Sequence, residues 1–171
     1  MKVLTFCGSS RPESSNVRLL KALSLRYKDI NWEYFDGLDK FPLFRPQDDK
    51  LPYPEQIVAF KKAILQSDAI IMATPEYLHN IPAQVKNAFE WITTTGELAR
   101  KSIILIVYTP KAPRGDKAMQ SLQWTLKALD AQIVCALSLY QEELKIDQNH
   151  ELIAGDWVKV MLDEAILMLN K

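Results

Sequence analysis

Short apolar runs alternate along this chain with longer stretches whose apolar residues recur at helical spacing, and no other feature constrains the fold as strongly. The runs that predict strands cover residues 3–7, 32–36, 69–74, 102–108 and 133–139. The stretches that predict helices cover residues 15–28, 55–67, 83–94, 116–130 and the chain from 156 onward. The last three strands are almost continuously apolar, which predicts that both of their faces are covered. Residues 141–150 predict a polar connection.

Strict alternation of strands and helices is typical of an α/β protein with a doubly wound parallel sheet and helices on both faces. Two strand orders suit such a sheet, the flavodoxin-like order 2-1-3-4-5 and the dinucleotide-binding order, and five strands favour the first. With 171 residues, one domain spanning residues 1–171 is expected.

This topology predicts where a ligand binds before any motif is considered. In open α/β sheets the site lies outside the carboxyl ends of the strands, at the point where the strand order reverses. Three connections should therefore converge, and we name them the first loop (residues 8–16), the second loop (74–82) and the third loop (109–115).

The first loop is rich in hydroxyl groups and poor in glycine. Its chemistry-bearing residues are Ser9, Ser10, Arg11, Ser14, Ser15 and Asn16. A helix N-terminus attracts anions through its unpaired N–H groups, and an arginine adds a planar fork that suits a phosphate. The alternative is a solvent-exposed serine-rich turn that caps the helix.

The motif of the first loop is neither G-x-G-x-x-G nor a Walker A sequence, since Gly8 is its only glycine. A pyrophosphate needs glycines so that the backbone can come close, whereas side chains can reach a terminal monophosphate. This loop therefore favours a mononucleotide over a dinucleotide.

The second loop lies within the stretch TPEYLHNIPAQVKNAFEWI, residues 74–92. Pro75 ends the strand and Pro82 suits the first turn of the next helix. Between the two prolines, Glu76, Tyr77 and their neighbours are exposed at the ligand-binding edge.

Together, GSSRPESSN and TPEYLHNIPAQVKNAFEW resemble the motifs of the NAD(P)H-dependent FMN reductase family of flavodoxin-like proteins. The resemblance implies that the first loop binds the phosphate of FMN and that Pro75, Glu76 and Tyr77 lie along its isoalloxazine ring. His79 is placed either against the ring or a substrate, or in solvent. The residues expected to bind the cofactor are Ser9, Arg11, Ser14, Ser15, Asn16, Pro75, Glu76, Tyr77, Leu78, His79 and Thr109.

Three positions depart from the family pattern. Leu78 stands where the family usually has asparagine, and Ala83 stands where a glycine is common. Both changes are compatible with backbone groups binding the ring. The third loop, often glycine-rich in the family, contains only Gly115, and the sequence leaves its role open.

The resemblance implies an FMN-dependent oxidoreductase that takes hydride from NADPH or NADH and passes it to a small acceptor such as free flavin, a quinone or an azo compound. The flavin performs the redox chemistry, so no catalytic residue is expected. A flavodoxin-like electron carrier and a non-enzymatic flavin-binding protein remain alternatives. Such carriers are typically acidic, and the balance of 21 basic and 21 acidic residues here argues against that role.

Composition excludes several other classes. Without a basic excess, nucleic acid is not an expected partner, and no apolar run approaches the roughly 20 residues of a membrane span. Cys7 and Cys135 lie in apolar runs and predict buried thiols in a cytoplasmic protein. Trp91 and Trp124, on otherwise polar helix faces, suggest interfaces. The family resemblance implies a homodimer or homotetramer.

Overall fold

Five parallel strands form one sheet in the order β2-β1-β3-β4-β5, which confirms the predicted topology. The structure is a computed structural model and describes residues 1–170. The strands are β1 (Lys2–Cys7), β2 (Asn31–Phe35), β3 (Ala69–Thr74), β4 (Ser102–Thr109) and β5 (Gln132–Tyr140).

Five α-helices cover the two faces of this sheet. They are α1 (Ser15–Arg26), α2 (Glu55–Leu65), α3 (Ala83–Glu90), α4 (Asp116–Ala128) and α5 (Asp156–Leu167). One core joins the sheet to α2, α3 and α4, and a second core joins it to α1 and α5. Within residues 1–170, no helix combines the length and apolar character needed to cross a membrane.

The central strands β1, β3 and β4 are buried except at their first residues Lys2 and Ser102, as their apolar sequences predict, but β5 is not. β5 lies at the edge of the sheet, and Gln132, Ala136 and Ser138 are exposed on it. The prediction that this strand is covered on both faces is therefore wrong. Apolar sequence alone does not distinguish a central strand from an edge strand whose side chains are only half covered.

The prediction of a polar connection over residues 141–150 is also wrong in part, because it contains a strand, β6 (Leu144–Ile146). This strand pairs with β7 (Leu152–Ala154) in an antiparallel hairpin. Asp147 closes the hairpin by accepting hydrogen bonds from the N–H groups of Asn149 and Glu151, both at 2.8 Å. The guanidinium of Arg18 on α1 donates to two hairpin carbonyls at 2.6 Å each. These contacts hold the hairpin against the helix that follows the first loop.

Trp91 does not mark an interface as predicted. It directly follows α3, is only 1% exposed, and its indole N–H donates to the carbonyl of Pro42 at 2.8 Å. Asn87 on the same helix donates to that carbonyl and accepts from the N–H of Phe44. Trp91 and Asn87 thus anchor the proline-rich loop that follows β2. Trp124 on α4 is 66% exposed.

Candidate functional site

A cleft of about 570 Å³ opens where the first, second and third loops meet. All of the residues predicted to bind a cofactor line it: Ser9, Arg11, Ser14, Ser15, Asn16, Pro75, Glu76, Tyr77, Leu78, His79 and Thr109. Tyr108, Pro110, Arg114 and Gln141 complete the lining. The predicted convergence of the three loops is therefore confirmed, and it follows from the parallel strand order alone.

Hydroxyl groups shape the first loop from within. Ser14 is the N-cap of α1, and its Oγ accepts from the N–H of Val17 at 3.2 Å. Ser9 Oγ accepts from the N–H of Arg11 at 3.3 Å. The N–H groups of Ser15 and Asn16, at the start of α1, have no acceptor among residues 1–170. This helix end therefore offers free donors and a partial positive charge to an anion.

The charge of Arg11 adds to that of the helix end. No carboxylate in the described part of the chain pairs with its guanidinium. The nearby Glu13 pairs with Lys21 instead, at 3.2 Å. An uncompensated guanidinium beside free N–H donors is a donor set that suits a phosphate.

Glycine is required at position 8 because the first loop, the end of β3 and the start of α3 come very close together there. Its N–H donates to the carbonyl of Ala73 at 2.8 Å. A Cβ at this position would lie 2.8 Å from Thr74 Cβ and 2.9 Å from Val85 Cγ2. The one glycine of the first loop thus lets the loop pass directly over the end of β3 and the start of α3.

Asn16 connects the first loop to β4. Its side chain is buried, and its Nδ2 donates to the carbonyl of Tyr108 at 3.0 Å. Its Oδ1 is also buried and has no partner within residues 1–170. The side-chain amide nitrogen is therefore engaged inside the protein, whereas the backbone N–H remains free.

The second loop turns sharply between Tyr77 and Asn80. Two hydrogen bonds of 2.9 Å join the backbones of these residues. Leu78 and His79 between them have φ values of 50° and 59°, as in a type I′ turn. The N–H groups of Glu76, Leu78 and His79 have no acceptor in residues 1–170. The turn therefore presents a short row of free donors at the cleft.

Glu76 holds the second loop against α4. Its Oε2 accepts from the N–H groups of Lys117 and Ala118 at 3.1 and 3.0 Å. Its Oε1 lies 3.7 Å from Nδ1 of His79, whose side chain is largely exposed. A carboxylate at a helix N-terminus is stabilised by the free N–H groups and by the helix dipole. The Glu76 side chain thus fixes the distance between two walls of the cleft.

The third loop is ordered with a single glycine. Gly115 precedes α4 with a φ of 105°, and a Cβ there would lie 2.7 Å from Val107 Cγ1. The buried Thr109 donates through Oγ1 to the carbonyl of Arg114 at 2.7 Å. The third loop therefore keeps its conformation with one glycine, because the hydrogen bond from Thr109 closes the loop.

Gln141 is a site residue that the sequence interpretation missed. Its N–H donates to the carbonyl of Thr109 at 2.9 Å, and its side-chain amide donates to Ser15 Oγ at 3.1 Å. Gln141 directly follows β5. The rule that ligands bind outside the carboxyl ends of the strands would therefore have placed it at the site as well. It was instead assigned to a polar connection.

The family model for NADPH-dependent FMN reductases matches residues 1–142. That range contains every lining residue of the cleft. The chain is 30% identical over 122 residues to the NADH:(hydroxy)cinnamate reductase subunit CrdA of Vibrio ruber. This match covers 71% of the chain but only 59% of the Vibrio protein, so the chain spans less than two thirds of that relative.

Two further comparisons cover nearly the whole chain. An alignment of 179 positions with an NADPH:quinone oxidoreductase of Arabidopsis thaliana shows 26% identity and covers 99% of this chain and 90% of that protein. The structure of FerB, a flavoenzyme NAD(P)H:(acceptor) oxidoreductase from Paracoccus denitrificans, superposes with a TM-score of 0.79 at 20% identity. It covers 99% of this chain and 95% of the other. At this identity, the structural likeness concerns the fold alone.

Proposed function

Because this chain belongs to the NADPH-dependent FMN reductase family, we propose that it is an FMN-dependent oxidoreductase. It takes hydride from NADPH or NADH and delivers it to a small acceptor such as free flavin, a quinone or an azo compound. The names of the relatives support an acceptor of this kind, since one is a (hydroxy)cinnamate reductase subunit and another a quinone oxidoreductase.

The observation that carries this proposal is the donor set of the first loop. Arg11 has no carboxylate partner among residues 1–170, and it lines the cleft together with the free N–H groups that begin α1. Ser9, Ser14 and Ser15 add hydroxyl groups around the same end of the cleft. We assign this end to the terminal phosphate of FMN. The backbone N–H of Asn16, rather than its engaged side-chain amide, contributes to the phosphate site.

The second loop is assigned to the isoalloxazine ring. The free N–H groups of Glu76, Leu78 and His79 suit the polar edge of such a ring, and Pro75 and Tyr77 offer apolar surface beside them. When bound, FMN supplies the acceptance and release of hydride. The chain binds and orients the cofactor, and it needs no acid or base of its own for that step.

Two properties of the molecule support further parts of the proposal. Cys7 and Cys135 are both free, which favours a reducing cytoplasmic location. Trp124 presents a large exposed apolar surface on α4, which favours a homodimer or homotetramer. Light scattering coupled to gel filtration measures the oligomeric state directly.

Steady-state oxidation of NADPH and NADH by the FMN-loaded chain tests the proposal. We expect turnover with at least one acceptor among free flavin, a quinone and an azo dye. A flavodoxin-like carrier would ignore the nicotinamide, and a non-enzymatic flavin-binding protein would be yellow without turnover. Absence of turnover with every acceptor would contradict the proposed activity.

A further inference from the structure

Leu78 is the most unusual side chain of the cleft. It is 100% exposed, although Ile81 and Pro82, a few residues later in the chain, are buried. It also has a φ of 50°, in the left-handed region. An exposed leucine gains no free energy from burial, and a left-handed backbone disfavours it.

The turn itself does not explain a leucine at this position. Two-residue turns of this geometry prefer asparagine, aspartate or glycine, which adopt a positive φ with little strain. The turn is already closed by the two backbone hydrogen bonds between Tyr77 and Asn80. Leu78 therefore contributes neither to the core nor to the turn, and its side chain is available to a ligand.

The position of Leu78 indicates which ligand covers it. It lines the cleft beside the half-exposed Tyr77, with Pro75 and Pro110 in the same lining. These four residues are the apolar members of the lining that the second and third loops contribute. Pro75 and Tyr77 are already assigned to the isoalloxazine ring, so the fully exposed side chain of Leu78 is left to a second planar apolar molecule. The phosphates of NADPH or NADH suit the charged parts of the cleft instead.

We propose that Leu78 is a specificity-determining contact for the electron acceptor, and that it favours flat, apolar aromatic acceptors such as quinones over small hydrophilic ones. This inference rests on the proposed function and deepens it. The acceptor covers the exposed leucine, so that the apolar area buried in the complex compensates for the strain of the free turn.

The test compares acceptors in the FMN-loaded wild type and in Leu78→Asn, with an alkylated naphthoquinone and ferricyanide as the two probes. We expect the ratio of kcat/KM for naphthoquinone to that for ferricyanide to fall about five- to thirtyfold, mainly through KM of the quinone. Because asparagine tolerates the left-handed backbone, Tm should rise by about 1–3 °C. Leu78→Met keeps the apolar contact and should retain the wild-type ratio.

The matched control is Leu65→Asn. Leu65 is 65% exposed at the end of α2, shortly before the amino-terminal end of β3, whereas the cleft lies at the carboxyl ends of the strands. This variant should therefore leave the acceptor ratio unchanged. An unchanged ratio in Leu78→Asn would overturn the inference. So would a weaker FMN affinity in Leu78→Asn that Leu78→Met does not share, because the backbone N–H assigned to the ring is present in both variants and the leucine side chain would then contact the flavin. A raised KM for NADPH with both acceptors would assign Leu78 to the reductant.

Three outcomes show whether this inference fails alone or together with the proposed function on which it rests. A change of oligomeric state in Leu78→Asn would show that a second copy of the chain covers the leucine, and would overturn the acceptor contact. Absence of any turnover by the wild type would overturn the proposed function and this inference with it. Turnover by the wild type together with an unchanged ratio in the variant would overturn this inference alone.

Discussion

Glu76 Oε2 lies 3.0 Å from the backbone nitrogen of Ala118 and accepts its hydrogen bond. Through this contact, a residue of the second loop caps the helix that follows the third loop. Two walls of the cleft, which are distant in sequence, are therefore held at a fixed separation. The relationship gives Glu76 a structural role that does not depend on direct contact with a ligand.

Replacing Glu76 should therefore loosen the site as well as destabilise the fold. We expect Glu76→Ala to lower the free energy of unfolding by about 1–2 kcal/mol, the range for loss of a helix cap, and to weaken FMN binding. Urea denaturation and fluorescence titration with FMN measure the two effects. Glu90→Ala removes only a surface ion pair with Lys86 and should change stability by less than about 0.5 kcal/mol. Equal effects of the two substitutions would contradict the anchoring role.

Arg11 should dominate the binding of the FMN phosphate. Arg11→Ala is expected to weaken FMN binding by about 1.5–3 kcal/mol, the range for a hydrogen bond to a charged group. Isothermal titration calorimetry measures this change. Arg45→Ala provides the control, because Arg45 is exposed, pairs with Asp48 at 2.6 Å, and lies outside the cleft. If Arg11→Ala bound FMN like the wild type, the phosphate would lie elsewhere.

Gly8 should tolerate no side chain. In Gly8→Ala, the new methyl group meets Thr74 and Val85, so we expect the free energy of unfolding to fall by about 1–3 kcal/mol or more. The first loop must also shift to relieve the contact, and FMN affinity should fall with it. Chemical denaturation in the absence of FMN isolates the effect on the fold. Wild-type stability in this variant would show that the loop has room for a Cβ.

The pH dependence of stability should include a contribution from Asp163. A hydrogen bond from Tyr27 and the paired guanidinium of Arg26 lower the pKa of this carboxyl. Because the folded-state pKa is the lower one, the stabilisation is complete above the unfolded pKa, about 3.9, and is lost as pH falls through the folded-state value.

Denaturation of the wild type and Asp163→Asn should therefore differ most near neutral pH and converge in acid. The difference should be modest, because both side chains of the ion pair are partly exposed. Burial and the hydrogen bond to Asp163 raise the pKa of Tyr27 to about 12, so the tyrosine stays neutral throughout this range. A stability difference that grew as pH fell would contradict the assignment.

The strand order and the convergence of three loops could be predicted because both follow from alternation and the geometry of parallel sheets. The hairpin of β6 and β7 could not, since its formation depends on Asp147 closing the turn and on Arg18 holding the strands. The burial of Trp91 likewise depends on a carbonyl from the distant loop at Pro42. Such contacts join residues that become neighbours only when the chain has folded.

The candidate site likewise combines features that could be predicted from the sequence with features that could not. The position of Glu76 at the cleft was predictable from its place after β3, but the binding of its carboxylate to α4 was not. That contact requires the third loop to bring the start of α4 beside the second loop. Gln141 was missed for a simpler reason, since the end of β5 was not treated as part of the binding edge.

The central claim, that the cleft binds FMN for reduction by a nicotinamide, is tested most directly by anaerobic titration of the FMN-reconstituted chain with NADPH and, separately, NADH. We expect each chain to retain one FMN, and we expect at least one of the two reductants to bleach the visible absorption of that FMN stoichiometrically. Failure to retain FMN, or retention of a flavin that neither nicotinamide bleaches, would contradict the central claim.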